Sequence, residues 1–430
     1  MISQGGAAER LVYLFLVALL ALVYFHHQIH LPMLPDSQNR NDLKHLYLGS
    51  RLLLQGEDPY SHDSLAEEAS RVRHPEMRLL NPYVYPPFTG YFFGWIGKLP
   101  YEDAKTAWFW LGHALLLGAV LLSWGMLQSF SPLARLVLLL GSIAYLFPLY
   151  RSTTAGQLNH FLLFLLCAIF ALWRKGWRRT AAVVIGLATL IKVVPGFLLV
   201  WLAWKREWPA LVCGLLTVVL LILGPATVFG LMPYFSYLEV LPQMGYGSST
   251  WSDQGMSYYV DEGNIGVPAL IYRLFAINPK TAHWFDLGNG ALYLCWIWAV
   301  IVLAVCMLSC RINRRDEDSE MELGTWVLGM LLIPSLFWDH YLVLALPAWW
   351  TLIARIGREG TGDLTMVAAA LCWAWINAWI VWFKPEYLSG SGILTLNATL
   401  PPVLILFGMC AWIARTGKHQ TNNVPAVGGY

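Results

Sequence analysis

Apolar residues in this 430-residue chain are gathered into long runs rather than alternated with polar ones at the period of a strand. Read as helices, the runs predict about twelve membrane segments: 10–29, 104–125, 131–150, 157–173, 179–191, 194–206, 208–229, 287–310, 322–337, 339–356, 364–384 and 394–414. A crossing helix needs roughly 20 apolar residues to span about 30 Å of hydrocarbon. Segments 179–191 and 194–206 fall short of that, at about 1.5 Å of rise per residue. They meet at Lys192–Pro195 and predict a broken helical hairpin, whose irregular backbone survives at membrane depth only where it lines protein or water. The first segment, after Arg10, has the look of a signal peptide. With so many apolar runs behind it, an uncleaved signal anchor is expected.

Composition agrees. Apolar residues make up 57% of the chain and charged residues 13%, about half the share of a soluble domain, with a mean hydropathy of +0.53. Many of the 22 tryptophans sit beside basic residues, and Trp173, Trp177, Trp204 and Trp208 read as interfacial belts. The net charge of +2, with no basic arm, gives no reason to expect nucleic acid. All seven cysteines lie in or at the ends of apolar runs without a CxxC, and read as packing residues.

Short basic loops set the expected orientation. Arg174, Lys175, Arg178 and Arg179, then Lys205 and Arg206, Arg311 with Arg314 and Arg315, Arg355 with Arg358, and Arg415 with Lys418 fall on one side together with Arg10 and Arg135. The positive-inside rule makes that side cytoplasmic. Both termini then face the cytoplasm, and the two long loops, 30–103 and 230–286, share the other face.

The first loop opens with Asp42 and a run in which Leu43, Leu46, Tyr47, Leu53 and Leu54 share one helical face. This predicts an amphipathic helix along the membrane surface, ended by Gly56. Asp42 fits a helix cap, and a carboxylate at a headgroup interface also fits a general base for a hydroxyl acceptor. After Asn81–Pro87 comes a short apolar stretch, 88–96, read as a re-entrant or interfacial half-helix. Lys192 lies deep in apolar sequence beside Pro195, where an ionisable group points to function. Arg151–His160 and Trp338–Tyr341 add polar residues on the same face. No Asp or Glu falls in the interior of a segment and no repeat is visible, which favours chemistry on a lipid over transport.

Taken in order, Asp42-Leu43-x-x-x-Tyr47, Gly56-x-x-Pro59-Tyr60, Tyr85-Pro86-Pro87, Gly156-Gln157-x-Asn159, Ile191-Lys192-x-x-Pro195, Asn264…Arg273-Leu274 and Trp338-x-His340-Tyr341 resemble glycosyltransferase family 87. This GT-C-type group includes polyprenol-phosphate-mannose-dependent mannosyltransferases and some arabinofuranosyltransferases. The resemblance runs from about residue 40 to 350, and the C-terminal segments add only hydrophobicity. It implies an inverting transfer, with Asp42 as catalytic base, Lys192, His340 and Arg273 around the donor phosphate, and Tyr47, Tyr85, Gln157, Asn159 and Asn264 on substrate. Where the family often carries Ser-Pro-x-Ser-Trp-x-His-His, this chain has Ile333–Tyr341, with Tyr341 in place of one His and an extra Asp339.

The expectation is therefore an all-α polytopic membrane protein, one GT-C-like domain over 1–414 with a cytoplasmic tail at 415–430. It would move a mannose-like hexose or a pentose from a polyprenyl-phosphate sugar to a glycolipid or glycan acceptor on the non-cytoplasmic face of the cell membrane. A lipid-linked-sugar flippase or carrier, or a ligase using another lipid-linked donor, is the alternative. No cofactor and no metal are expected, because a leaving monophosphate does not demand a divalent ion and neither Asp-x-Asp nor His-x-x-x-His occurs. A cysteine placed near residue 70 or 248 should react with an impermeant thiol reagent applied outside intact cells, while one near 176 or 313 stays protected. The reverse pattern would overturn the orientation.

Overall fold

The structure is a computed structural model, and it describes residues 6–34, 42–310, 319–359, 363–378 and 385–416. Asn41, Arg311, Arg314, Arg315, the end of the 364–384 segment and the tail beyond 416 lie outside the described residues. The first helix, α1 (Ala7–Tyr24), runs on through a π-helical turn to Met33. The first long loop holds α2 (Leu43–Gln55), α3 (His62–Val72) and α4 (Pro87–Phe92). Then follow α5 (Tyr101–Ser123), α6 (Pro132–Ile143), α7 (Phe147–Thr154), α8 (Asn159–Arg174), α9 (Arg178–Ile191), α10 (Phe197–Trp204) and α11 (Trp208–Phe229). The second long loop contains α12 (Val267–Phe275). The chain closes with α13 (Gly290–Ser309), α14 (Ser319–Leu332), α15 (Leu346–Glu359), α16 (Asp363–Asn377) and α17 (Leu400–Thr416). Among the described residues the β pairing is confined to one antiparallel bridge, Asn264 with Trp338.

Among the described residues, four helices are long and apolar enough to cross a membrane: Ala7–Met33, Tyr101–Leu127, Trp208–Phe229 and Gly290–Ser309. Two bent pairs, α6 with α7 at 58° and Gly390–Asn397 with α17 at 50°, raise the number to six if each is one span. The other expected segments are shorter, because proline and polar residues interrupt them. The apolar run at 131–150 turns at Ala144–Leu146, and the run at 339–356 starts as a 3-10 helix over Asp339–Ala345.

The broken hairpin is present. Lys192 leaves α9 in extended geometry, a 3-10 turn follows at Val194–Gly196, and α10 begins at Phe197. The carbonyls of Leu190 and Ile191 lose helical partners there, and the buried Thr89 hydroxyl of α4 donates to both at 2.9 Å. The half-helix expected at 88–96 is therefore the piece that closes the break. On the other face of α9, Gly186 lies against Gly214 of α11 so closely that a Cβ there would stand 2.5 Å from the Gly214 carbonyl. Small residues allow such backbone approach between apolar helices.

Two expectations need correction. Helix α2 ends at Gly56, with φ +76°, as expected, but it is not laid on a surface. It is buried on nearly all sides by α3, α4 and the chain between them; Gly49 makes room for the Tyr83 ring, and Arg51 pairs with fully buried Glu68. Trp173 is no belt residue: it is buried, packs on Trp201 and donates to Ser319 Oγ at 2.8 Å, whereas Trp177 and Trp208 are well exposed. Acidic groups sit at the ends of helices, as expected, and are buried there in pairs. Glu322, fully buried at the start of α14, pairs with buried Lys205, and Glu320 meets Arg174 at 2.9 Å. Such pairs hold α8, α10 and α14 together at the end remote from Lys192.

Replacing Thr89 by valine keeps the shape and strands two carbonyls, which should cost about 1–3 kcal/mol. We expect a lower thermal midpoint for purified T89V in detergent, and a smaller loss for T89S. An unchanged midpoint in T89V would refute the role given to this hydroxyl.

Candidate active site

Asp42 occupies the cap position of α2, yet its side chain makes no capping hydrogen bond. Its Oδ2 instead accepts from Gln157 Nε2 at 2.9 Å, and its Oδ1 from Asn81 Nδ2 at 3.4 Å. The backbone is fastened too, since Asp42 N–H donates to Ala155 O at 2.6 Å. His45 Nε2 accepts from Asn81 N–H at 2.8 Å, so the neutral ring carries its hydrogen on Nδ1, which lies 3.9 Å from Asp42 Oδ1. Burial pushes the His45 pKa down to about 4 against the pull of Asp42, and the ring stays neutral at neutral pH. The Asp42 side chain remains 35% exposed where His45 is 5%. An acceptor can therefore reach a carboxylate whose two oxygens are already aimed.

Gln157 reaches Asp42 because the chain between α7 and α8 turns sharply. Gly156 has φ +64°, a left-handed geometry that favours glycine, and its carbonyl accepts from Trp108 Nε1 at 3.0 Å. Two residues on, buried Asn159 donates to the His340 carbonyl at 3.0 Å. The Gly156-Gln157-x-Asn159 motif thus grips Asp42 with one side chain and the His340 backbone with the other.

Positive charge gathers opposite. Lys192 Nζ lies 3.7 Å from the centroid of the Tyr341 ring, within cation–π range. His340 is buried, and its Nε2 has no hydrogen-bond partner among the described residues. Its Nδ1 is 3.3 Å from Asp339 Oδ1 without hydrogen-bond alignment, and Arg151 Nε holds Asp339 Oδ2 at 3.2 Å. Lys192 stands within electrostatic reach of both Asp42 and His340. Buried Tyr85 and half-buried Tyr341 also stand within reach of Asp42.

The remaining expected residues stand back from this group. Arg273 is fully buried and spends its guanidinium on the carbonyls of Asp261, Asn264 at 2.8 Å and Val260 at 3.4 Å, and on Asn397 Oδ1 at 2.7 Å. Asn264 donates to Ser335 O at 2.9 Å and accepts from Phe337 N–H at 3.0 Å, tying the second loop to the 333–341 run. Tyr47 donates to Leu99 O at 2.9 Å and packs edge-on against Tyr101. Asn397 corrects the view that the C-terminal segments add only hydrophobicity, because it also donates to Ile265 O at 2.8 Å.

Sequence reasoning assigned no role to Asn81, nor to Tyr258, whose hydroxyl donates to Asn81 Oδ1 at 3.3 Å. The one available signal was the polar Asn81 opening the Pro-Tyr-x-Tyr-Pro-Pro run. Elsewhere, His74, Glu76 and Glu102 lie close enough for an ion to bridge them, but the Lys105 ammonium stands 2.6 Å from Glu76 and 3.3 Å from Glu102. It supplies the positive charge that this trio would otherwise seek.

A half-open carboxylate held by two amides, facing a lysine and an unpartnered imidazole, suits proton abstraction from a hydroxyl beside an anionic leaving group. A polyprenol-phosphate-mannose-dependent alpha-(1-2)-phosphatidylinositol pentamannoside mannosyltransferase of Mycobacterium tuberculosis (strain CDC 1551 / Oshkosh) is 24% identical over 362 residues, covering 79% of this chain and 74% of that one. The protein of the same description from Mycolicibacterium smegmatis (strain ATCC 700084 / mc(2)155) is 26% identical over 413 residues, 90% of this chain and 88% of its own. Residues 83–337 match the glycosyltransferase family 87 model, which leaves His340 just beyond the matched stretch and Asp42 well before it. An all-helical chain so matched over more than half its length belongs to glycosyltransferase family 87.

Proposed function

We propose that the chain transfers a mannose-like hexose from a polyprenyl-phosphate sugar to a hydroxyl of a lipid- or glycan-linked acceptor, with inversion, on the non-cytoplasmic membrane face. The observation that carries the reading is the Gln157–Asp42 hydrogen bond, which aims a half-open carboxylate while leaving the helix cap unmade. The relatives' use of polyprenol-phosphate-mannose favours mannose over a pentose.

In this reading Asp42 takes the acceptor hydroxyl proton as the oxygen bonds to the anomeric carbon. The bond from that carbon to the phosphate oxygen breaks on the opposite face, and its electron pair leaves with the lipid phosphate. Negative charge grows there, and fixed cations aimed at it lower the barrier most when water is excluded. Lys192 and His340 are assigned to that phosphate, with Arg151 and Asp339 setting the imidazole. Tyr341, where the family often has histidine, backs the Lys192 ammonium with a ring face. Gln157 is assigned to positioning Asp42, Asn159 to positioning His340, and Tyr85 to the substrate pocket. Arg273 and Asn264 are assigned to holding the loop, and Tyr47 to packing beneath it.

Asp42→Asn should insert and fold normally yet lose about 10²–10⁴-fold in turnover. Measured per mole of monodisperse protein with labelled donor, retention of more than about a tenth of wild-type turnover would remove Asp42 as base. Lys192→Ala and His340→Ala should each lower kcat about 10²–10³-fold with little change in acceptor KM. Lys192→Arg should keep part of the activity, because charge persists while the point donor becomes a planar fork. Unchanged turnover at both positions would end the phosphate assignment.

A further inference from the structure

The segment that carries Asn81, a partner of Asp42, and the segment that carries Tyr258, a partner of Asn81, wall an open cleft of about 690 Å³. One wall is α3 and the run after it, with Ser70, Arg73, His74 and Arg78; the other carries Trp251 and Gln254. The walls lead straight to the reacting carboxylate. Leu80 lines the cleft, and its neighbour Asn81 bonds Asp42; Met256 lines it, and two residues on Tyr258 bonds Asn81.

The chemistry of the cleft is specific. Arg73 and Arg78 are exposed, and among the described residues neither makes an ion pair or a side-chain hydrogen bond. The acids beside the two arginines are already engaged, Glu76 by Lys105 and Tyr101, Glu102 by His74 and Lys105, and Glu67 and Glu68 by Arg71, while Asp253 on the other wall accepts from Gln254 Nε2 at 3.2 Å. Arg73 sits at φ +56° at the end of α3 and Trp251 at φ +58°, left-handed positions where glycine or asparagine is easier to place. Trp251 is held by the His62 ring edge-on at 4.8 Å. Leu79, between Arg78 and Leu80, is 77% exposed and gives the cleft an apolar lip. Two free guanidinium forks, an indole, small polar groups and an apolar edge fit a phosphate-bearing glycan carried on a lipid.

We propose that this cleft is the acceptor site, taking the anionic, phosphate-bearing glycan head group of a membrane lipid, with Arg73 and Arg78 on the phosphate and Trp251 against a sugar ring. The assignment rests on the transferase reading for its consequence, but binding in the cleft is measurable without turnover. Calorimetry on the purified full chain should show mannose 6-phosphate binding better than inorganic phosphate or methyl mannoside. Arg73→Ala with Arg78→Ala should weaken the phosphosugar by about tenfold or more, since each arginine loses a charge-assisted hydrogen bond. The double variant should leave methyl mannoside binding unchanged. Nanodiscs containing phosphatidylinositol should compete for the site, and those of phosphatidylcholine alone should not.

Equal phosphosugar affinity in wild type and double variant would overturn the site. Binding of inorganic phosphate as tight as that of the phosphosugar would overturn the glycan assignment, and absence of lipid competition the lipid source. Hydrolysis of a polyprenyl-phosphate mannose in the absence of acceptor separates the two readings. If wild type and double variant hydrolyse it alike while transfer falls only in the variant, the cleft serves the acceptor. A wild type that binds the phosphosugar through both arginines yet never cleaves the donor supports the cleft and defeats the transferase reading alone. Equal transfer by wild type and double variant at limiting acceptor would overturn the cleft's role while leaving the transferase intact.

Discussion

Backbone that leaves helical geometry inside an apolar bundle has no water to satisfy it, so protein groups must take up every freed N–H and C=O. Around Asp42 and Lys192 that constraint is met by side chains reaching in from distant sequence. Thr89 covers the end of α9, Asn159 covers the His340 carbonyl, and Asn264 stitches the second loop to the 333–341 run. Each of these bonds also fixes the position of a neighbouring polar side chain. The demand for satisfied backbone and the demand for aimed chemistry are answered by the same residues.

The charge layout follows from that framework. Ion pairs bury themselves at the end of the helices where α8, α10 and α14 meet, with both partners present and the charge balanced. At the other end balance is deliberately incomplete: Lys192 faces an aromatic ring, and one nitrogen of His340 faces no partner among the described residues. Two ends of one bundle thus treat charge in opposite ways, one as a clasp and the other as a receptor for something anionic.

Local signals in the chain carried the parts of this arrangement that depend on a few adjacent residues. The break at Lys192–Pro195, the stop at Gly56 and the half-helix after Pro87 were legible because proline and glycine act where they stand. The family motifs brought Asp42, Gln157, Lys192 and His340 into one list, and three-dimensional packing brought them into one neighbourhood. What sequence left hidden depends on distant partners. The burial of α2 needs α3 and Tyr83 laid over it, and the structural duty of Arg273 needs Asn397, 124 positions away. Helix lengths are hidden too, since they are decided by where bends such as that of 58° between α6 and α7 fall.

The Asn397 bonds have a bearing on synthesis. A chain emerging from the ribosome places Asp42 early and Gln157 some 115 positions later, the loop of Asn264 and Arg273 well after that, and His340 only in the last third. Arg273 can lock that loop only once Asn397 has joined the bundle. Every shorter product therefore holds fragments of a reaction centre and no whole one. Until then the loop lacks the bond that fixes it, and the last helices act as the seal that completes the bundle.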